Sequence, residues 1–321
     1  MNPCDKFCLK KTFIWPPPEL WRIQEITKPI LPFTSPHYCS RLELPQQVED
    51  FQFKTRPVRF QEASIHHALG VMTSPRPRHA TIQTLFNSLS AAGMDRWIGS
   101  KLLLADGCSP DVPPGWILRL MPGPSSGAAA GFKKLLQWGL DNDPLLEQLT
   151  FLEDDVILSK NALDYIARVA IPQDLSLITW FNYDYNLPDH PLKPPPTKYP
   201  HPILACRSTR MFINTQAVTI NRRTIDSLLR CPYVQGWPNR GAHDEMFSWA
   251  IGDVPYAAHF PCLAQHENEK GAANSAFLFN RLNESPNTSA RPEYFTCART
   301  SPFFEGEEFD SLSLMDEKEP A

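Results

Sequence analysis

Three consecutive carboxylates, Glu153-Asp154-Asp155, end the apolar run Leu149-Thr150-Phe151-Leu152 and precede a second one, Val156-Ile157-Leu158. Acids at the end of a strand that must be buried are costly unless a cation balances them. Hard divalent ions take carboxylate oxygens, and Mg²⁺ or Mn²⁺ sites often complete their shell with substrate phosphates. The triplet alone fits a solvated acidic turn equally well, so its neighbours must decide.

Other candidates stand at the ends of apolar runs. Ala68-Leu69-Gly70-Val71-Met72-Thr73 is followed by Ser74-Pro75-Arg76-Pro77-Arg78. Leu102-Leu103-Leu104-Ala105 ends at Asp106-Gly107. Gly241-Ala242-His243-Asp244-Glu245 opens an apolar helical pattern, and Pro261-Cys262-Leu263-Ala264-Gln265-His266 closes the last regular run.

The elements between them carry helical spacing. Ile82, Leu85, Phe86 and Leu89 recur at i, i+3, i+4 and i+7, and Gly93 is a stop signal. Phe132, Leu135, Leu136 and Leu140 form a second such face, and Ala162, Tyr165, Ile166 and Val169 a third. Leu175 to Trp180 reads as a further strand. The order β-α-β-α-β-α-β predicts an α/β layered fold with a mostly parallel sheet and right-handed crossovers. In such sheets ligands bind at the carboxyl ends of the strands, where Thr73, Asp106 and the acidic triplet converge. Later, 217–220 reads as a short strand, 224–229 as a helix, and 256–266 as a last strand.

The 321 residues allow one large domain with appendages, and 42% hydrophobic residues suffice for its core. A net charge of −4 gives no footprint for nucleic acid. The eight cysteines form no CxxC pair, which argues against a structural zinc site. No apolar run reaches membrane-span length, and no secretory h-region follows Met1, so a cytoplasmic setting is expected. The 33 prolines cluster in 1–65, in 186–202 and toward the C-terminal end. Residues 1–65 are expected to be an extended Pro-rich lead. Residues 271–321 are expected to be an extension whose acidic end is disordered.

In order and spacing, these segments resemble the GT-A glycosyltransferases over roughly 66–270. Phe151-Leu152-Glu153-Asp154-Asp155-Val156 is similar to that family's acidic DxD motif in its EDD form. Gly70 to Arg76 resembles the nucleotide-holding first strand and turn, and Leu104-Ala105-Asp106-Gly107 the second-strand acid. Gly241 to Glu245 resembles the acid-bearing turn on the acceptor side, and Pro261 to His266 the late strand ending in a metal-binding histidine. The branch most similar includes the N-acetylglucosaminyltransferases that branch N-glycans. After His266 the chain departs from that pattern, running Glu267-Asn268-Glu269-Lys270-Gly271.

The resemblance implies a catalytic domain over 66–270 that transfers a hexosyl or N-acetylhexosaminyl group. The donor would be a UDP-linked nucleotide sugar and the acceptor a saccharide or other hydroxyl. It implies a divalent cofactor, Mn²⁺ or Mg²⁺, with Asp155 and His266 as its ligands. Thr73, Arg76, Asp106, Glu153 and Asp154 fall at nucleotide-sugar positions, Glu153 toward the ribose. Inverting transfer needs a base for the acceptor hydroxyl. Asp244 is the first choice and Glu245 the second. Each assignment has a plainer reading: an Asp-Gly turn for Asp106, an exposed arginine for Arg76, a helix cap for Asp244, a structural imidazole for His266. Lys133 and Lys134 belong to a solvated helix face unless one reaches the diphosphate. Trp180, Tyr183, Tyr185 and Trp237 are sugar platforms or core. A nucleotidyltransferase would require a Gly-rich phosphate loop after the first strand, where the chain has Ser74-Pro75-Arg76-Pro77-Arg78. A non-catalytic sugar-binding module on this fold would have no need of the acidic triplet.

Overall fold

The chain adopts the α/β class read from its sequence, a layered fold around a mostly parallel sheet. The computed structural model describes residues 54–75, 81–181, 202–207, 215–239, 243–251, 256–266, 306 and 308–315. The expected segments at 1–53, 76–80, 182–201 and 267–305 lie outside these residues, Arg76, Tyr183 and Tyr185 among them.

In chain order the elements begin with β1 (Lys54–Pro57), β2 (His67–Thr73), α1 (Thr81–Ala91), β3 (Lys101–Asp106) and β4 (Ile117–Met121). Next come α2 (Ala128–Asn142), β5 (Gln148–Glu153), β6 (Val156–Leu158), α3 (Ala162–Arg168) and β7 (Leu177–Thr179). The remainder are β8 (Ile203–Arg207), β9 (Ala217–Asn221), α4 (Arg222–Arg230), α5 (Pro232–Gly236), α6 (His243–Ile251), β10 (Tyr256–Phe260) and β11 (Ala264–His266).

Among the described residues nine strands form one sheet in the order β1-β8-β10-β7-β9-β5-β2-β3-β4. The β5-β2-β3-β4 half is parallel throughout. Strands β9 and β8 run against their neighbours. Near-continuous apolar strands such as β2 and β3 are buried on both faces, as parallel strands covered by helices must be. Period-2 alternation splits them between two cores. Leu69, Val71, Leu103 and Leu152 pack with Leu85, Phe86, Tyr165 and Ile166 of α1 and α3. Ala68, Leu102, Leu104 and Phe151 pack with residues of α2, α4 and α6 on the other side. Helix α2 lies close on β2 because Gly131 has no side chain; a Cβ there would sit 2.4 Å from Met72 Sδ. Gly93, at φ 94°, takes the left-handed conformation that ends α1 and its last turn.

Several expectations change. Within the lead to residue 65, β1 joins the sheet beside β8. After Asp106 the chain adds a strand that the sequence pattern does not mark, β4, whose Ile117, Leu118 and Leu120 are exposed and give no burial signal. The run expected as one last strand is two. β10 belongs to the main sheet, whereas β11 leaves it after Pro261 to pair antiparallel with β6. The acidic end expected to be disordered includes an ordered 3-10 turn, Ser311–Met315, with Ser311 and Leu314 buried. Acidic composition misleads there because the apolar residues of the turn face inward.

Candidate active site

The triplet sits where the carboxyl ends of β2 and β5 meet the β6-β11 ribbon. Parallel register sets Met72 beside Glu153, so Thr73 adjoins the turn that follows. Thr73 Oγ1 donates to Asp154 Oδ2 at 2.6 Å, and both residues are buried. Asp155 is 1% exposed. The ribbon then pairs His266 with Val156, the residue after Asp155. The backbone therefore brings the late histidine and the triplet together, although they lie far apart in sequence. The His266 side chain, like that of Glu245, is outside the described residues.

Glu153 has a partner that no sequence pattern singles out. His243 Nε2 lies 3.2 Å from Glu153 Oε1 and 2.9 Å from Thr215 Oγ1. The imidazole is buried against the rings of Phe132 and Phe151, with centroids at 5.2 and 5.7 Å. Burial alone would lower its pKa, but the Glu153 carboxylate, with Asp244 and Asp155 nearby, raises it above the ordinary histidine value. The shift favours the protonated ring, whose Nε2 faces Glu153 Oε1 and Thr215 Oγ1. His243 opens α6 and Asp244 follows it, so the candidate base stands at the helix N-terminus next to the anchored ring.

Asp106 occupies the expected strand end but is already engaged. Its carboxylate accepts from Ser125 Oγ at 2.7 Å, from Ser126 N at 2.8 and 2.9 Å, and from Gly127 N at 3.1 Å. Burial would raise its pKa; the Ser126 amide and Ser125 hydroxyl, with the Gly127 amide, reverse this and hold it below the usual value. The side chain therefore ties down the turn that leads into α2, and a nucleotide contact would have to form alongside these donors.

Lys133 does not lie on a solvated face. Its Nζ donates to Val234 O at 3.1 Å and to Trp237 O at 3.4 Å, tying α2 to α5 and the residue after it, and burial lowers its pKa. Lys134 is exposed. Trp180 is core: it is fully buried and its Nε1 donates to Thr219 Oγ1 at 2.8 Å. His259 is structural as well, bonded at Nδ1 to Pro261 O and at Nε2 to Tyr165 OH; burial depresses its pKa to about 4.

The donor chemistry of the triplet suits a hard divalent ion. Among the described residues no three His, Cys, Asp or Glu side chains form a ready-made cage. Ions of this type commonly take one or two carboxylates and fill the rest of their shell with phosphate and water, so the two conditions agree.

No family model matches the sequence, and no curated protein matches it. Among solved structures the chain is similar to S. aureus TarS, at 14% identity and a TM-score of 0.37, over 60% of this chain and 34% of that one. It is also similar to the mannosyltransferase PcManGT from Pyrobaculum calidifontis in complex with GDP-Man and Mn²⁺. That match has 14% identity and a TM-score of 0.40, over 72% of this chain and 64% of the other. The chain thus spans less than two thirds of the length of either. Among the described residues no helix is long and apolar enough to cross a membrane.

Proposed function

We propose that this chain is a glycosyltransferase of the GT-A type, moving a hexosyl or N-acetylhexosaminyl group from a nucleotide-diphosphate donor, UDP-linked, to a hydroxyl acceptor. One observation carries the reading. The acidic triplet, the strand-end Thr73, the β11 residue His266 and the α6 residue Asp244 come from four separate stretches and meet at one rim of the sheet.

In this reading Asp155 and His266 would hold a divalent ion, Mn²⁺ or Mg²⁺. Bound there, the ion would neutralise charge on the departing diphosphate. The protein's own contribution is orientation. Thr73 fixes Asp154, the triplet's middle carboxylate, and Asp106 keeps the start of α2 against the end of β3. Asp244, at the mouth of α6, takes the acceptor proton as the new glycosidic bond forms, which gives inversion; Glu245 is the alternative base.

The test is donor binding by calorimetry with and without Mn²⁺, together with transfer assays across a panel of nucleotide sugars. Asp155→Ala is expected to abolish the metal-dependent part of binding. Asp244→Asn is expected to bind donor normally and to lose transfer. Normal transfer by Asp244→Asn would remove it as the base.

A further inference from the structure

The Glu153-His243 contact points to a division of labour within the acidic triplet. Glu153 ends β5, Thr215 leads into β9, and His243 begins α6. One imidazole nitrogen meets the side chains of the other two, 2.9 Å from Thr215 Oγ1 and 3.2 Å from Glu153 Oε1. Thr215 Oγ1 in turn lies 3.5 Å from Glu153 Oε1, closing a three-membered ring of contacts. Phe132 and Phe151 shield the imidazole from water. A low local dielectric strengthens a charged hydrogen bond and makes its loss expensive. The titratable groups facing the ring are Glu153, Asp155 and Asp244.

We propose that His243 is a positioning residue. It turns the Glu153 carboxylate toward the start of α6 and away from the ribose, and it fixes the placement of Asp244 relative to the donor. This rests on the sugar-transfer reading. It assigns Glu153 to holding the acceptor-side helix, leaving Asp154 and Asp155 as the acids of the triplet that face the donor. The arrangement couples the strand carrying the triplet to the helix carrying the base through a single ring.

The experiment has two readouts, made on the full chain. In the transfer assay, His243→Ala is expected to lower kcat by about tenfold or more while the donor KM stays within about threefold, because what is lost is orientation and not donor contact. His243→Gln keeps an N–H donor near the position of Nε2 and is expected to recover most of that loss. Adding Glu153→Gln to His243→Ala is expected to cost little more, since the two act as one unit. The second readout is the ¹⁵N resonance of the His243 ring. It is expected to carry the signature of an Nε2 hydrogen-bonded to Glu153 and to change in Glu153→Gln.

A kcat unchanged in His243→Ala, or a donor KM that rises as far as kcat falls, would overturn the proposal. So would a His243 resonance indifferent to Glu153→Gln. Should His243→Ala fail to fold by circular dichroism, the His243→Gln and Glu153→Gln variants decide. A wild-type chain that transfers no sugar from any donor would defeat the sugar-transfer reading and Asp244's part in it. The resonance would still decide whether His243 holds Glu153.

Discussion

Thr73 Oγ1 and Asp154 Oδ2 stand 2.6 Å apart, joining the end of β2 to the turn after β5. The two residues are 81 positions apart, and parallel pairing of their strands makes them neighbours. A hydroxyl donor to a buried carboxylate contributes roughly 1.5–3 kcal/mol, and deleting the donor leaves the acid poorly solvated. Thr73→Val keeps the shape and removes the donor. Its metal-dependent donor affinity, measured by calorimetry, is expected to fall about tenfold or more on the same scale, with Thr73→Ser close to wild type. Equal affinities for Val and wild type would mean that the contact does not organise the triplet.

How far the sequence could be read follows from such pairs. The strands β2, β3 and β5 and helices α1 and α2 were legible because strands covered on both faces are continuously apolar and the helices carry a 3.6 period. Strand β4 was not, since its residues are mostly exposed at the sheet edge. The break at Pro261 was hidden because the apolar run continues through Cys262-Leu263-Ala264, and periodicity carries no record of a change of partner. Thr73 and the triplet announced themselves as polar residues ending apolar runs. His243 did not: a histidine beside Asp244 has no local mark that its partner is Glu153, and only the fold brings those residues together. Lys133 was misread because a lysine between core positions of a helix resembles any solvated one until α5 is packed above it.

Asp106 makes a prediction that separates a structural tie from a ligand. If holding the turn before α2 is its main work, Asp106→Ala lowers unfolding stability by about 1–3 kcal/mol, the usual cost of removing a charged hydrogen-bond acceptor from buried donors. The sign with pH follows from its depressed pKa. The contribution is present above the unfolded value of 3.8 and is lost as pH falls through the lower folded value. Urea unfolding of the variant at neutral pH measures the loss. A variant as stable as wild type but unable to bind donor would instead make Asp106 a nucleotide contact.

The buried histidines predict acid sensitivity. His67 is bonded through Nε2 to Thr150 Oγ1 at 2.8 Å, and burial takes its pKa down to about 3; His259 falls to about 4. Both stay neutral in the folded chain while the unfolded chain protonates near 6.5. Stability is therefore full above that value and declines as pH drops below it, by about 1.4 kcal/mol per unit for each residue. His243 acts in the opposite sense. Its raised pKa makes its contribution complete below 6.5, and the contribution is lost as pH climbs through the folded value. Denaturant unfolding at a series of pH values is expected to show these opposed limbs. His259→Gln should flatten the acid limb by about one proton, and an unchanged slope would mean that His259 is not buried neutral.

The C-terminal turn braces the ribbon that carries His266. Ser311 N donates to Lys160 O at 2.9 Å, the hydroxyls of Ser311 and Ser159 lie 2.8 Å apart, and Asn161 Nδ2 donates to Asp310 Oδ1 at 2.9 Å. Ser159 N in turn donates to Leu263 O at 2.9 Å, one residue before β11 begins. Leu314 packs into the α1-α3 core at 8% exposure. Truncating a leucine at such a site to alanine costs about 2 kcal/mol or more. For a fold of this size that corresponds to a fall of about 4–8 °C in thermal midpoint. Leu314→Ala is therefore expected to melt earlier by that amount in calorimetry, and Leu312→Ala, whose side chain is only partly buried, by less. Equal midpoints for the two variants would show that the turn lies on the surface without bracing the ribbon.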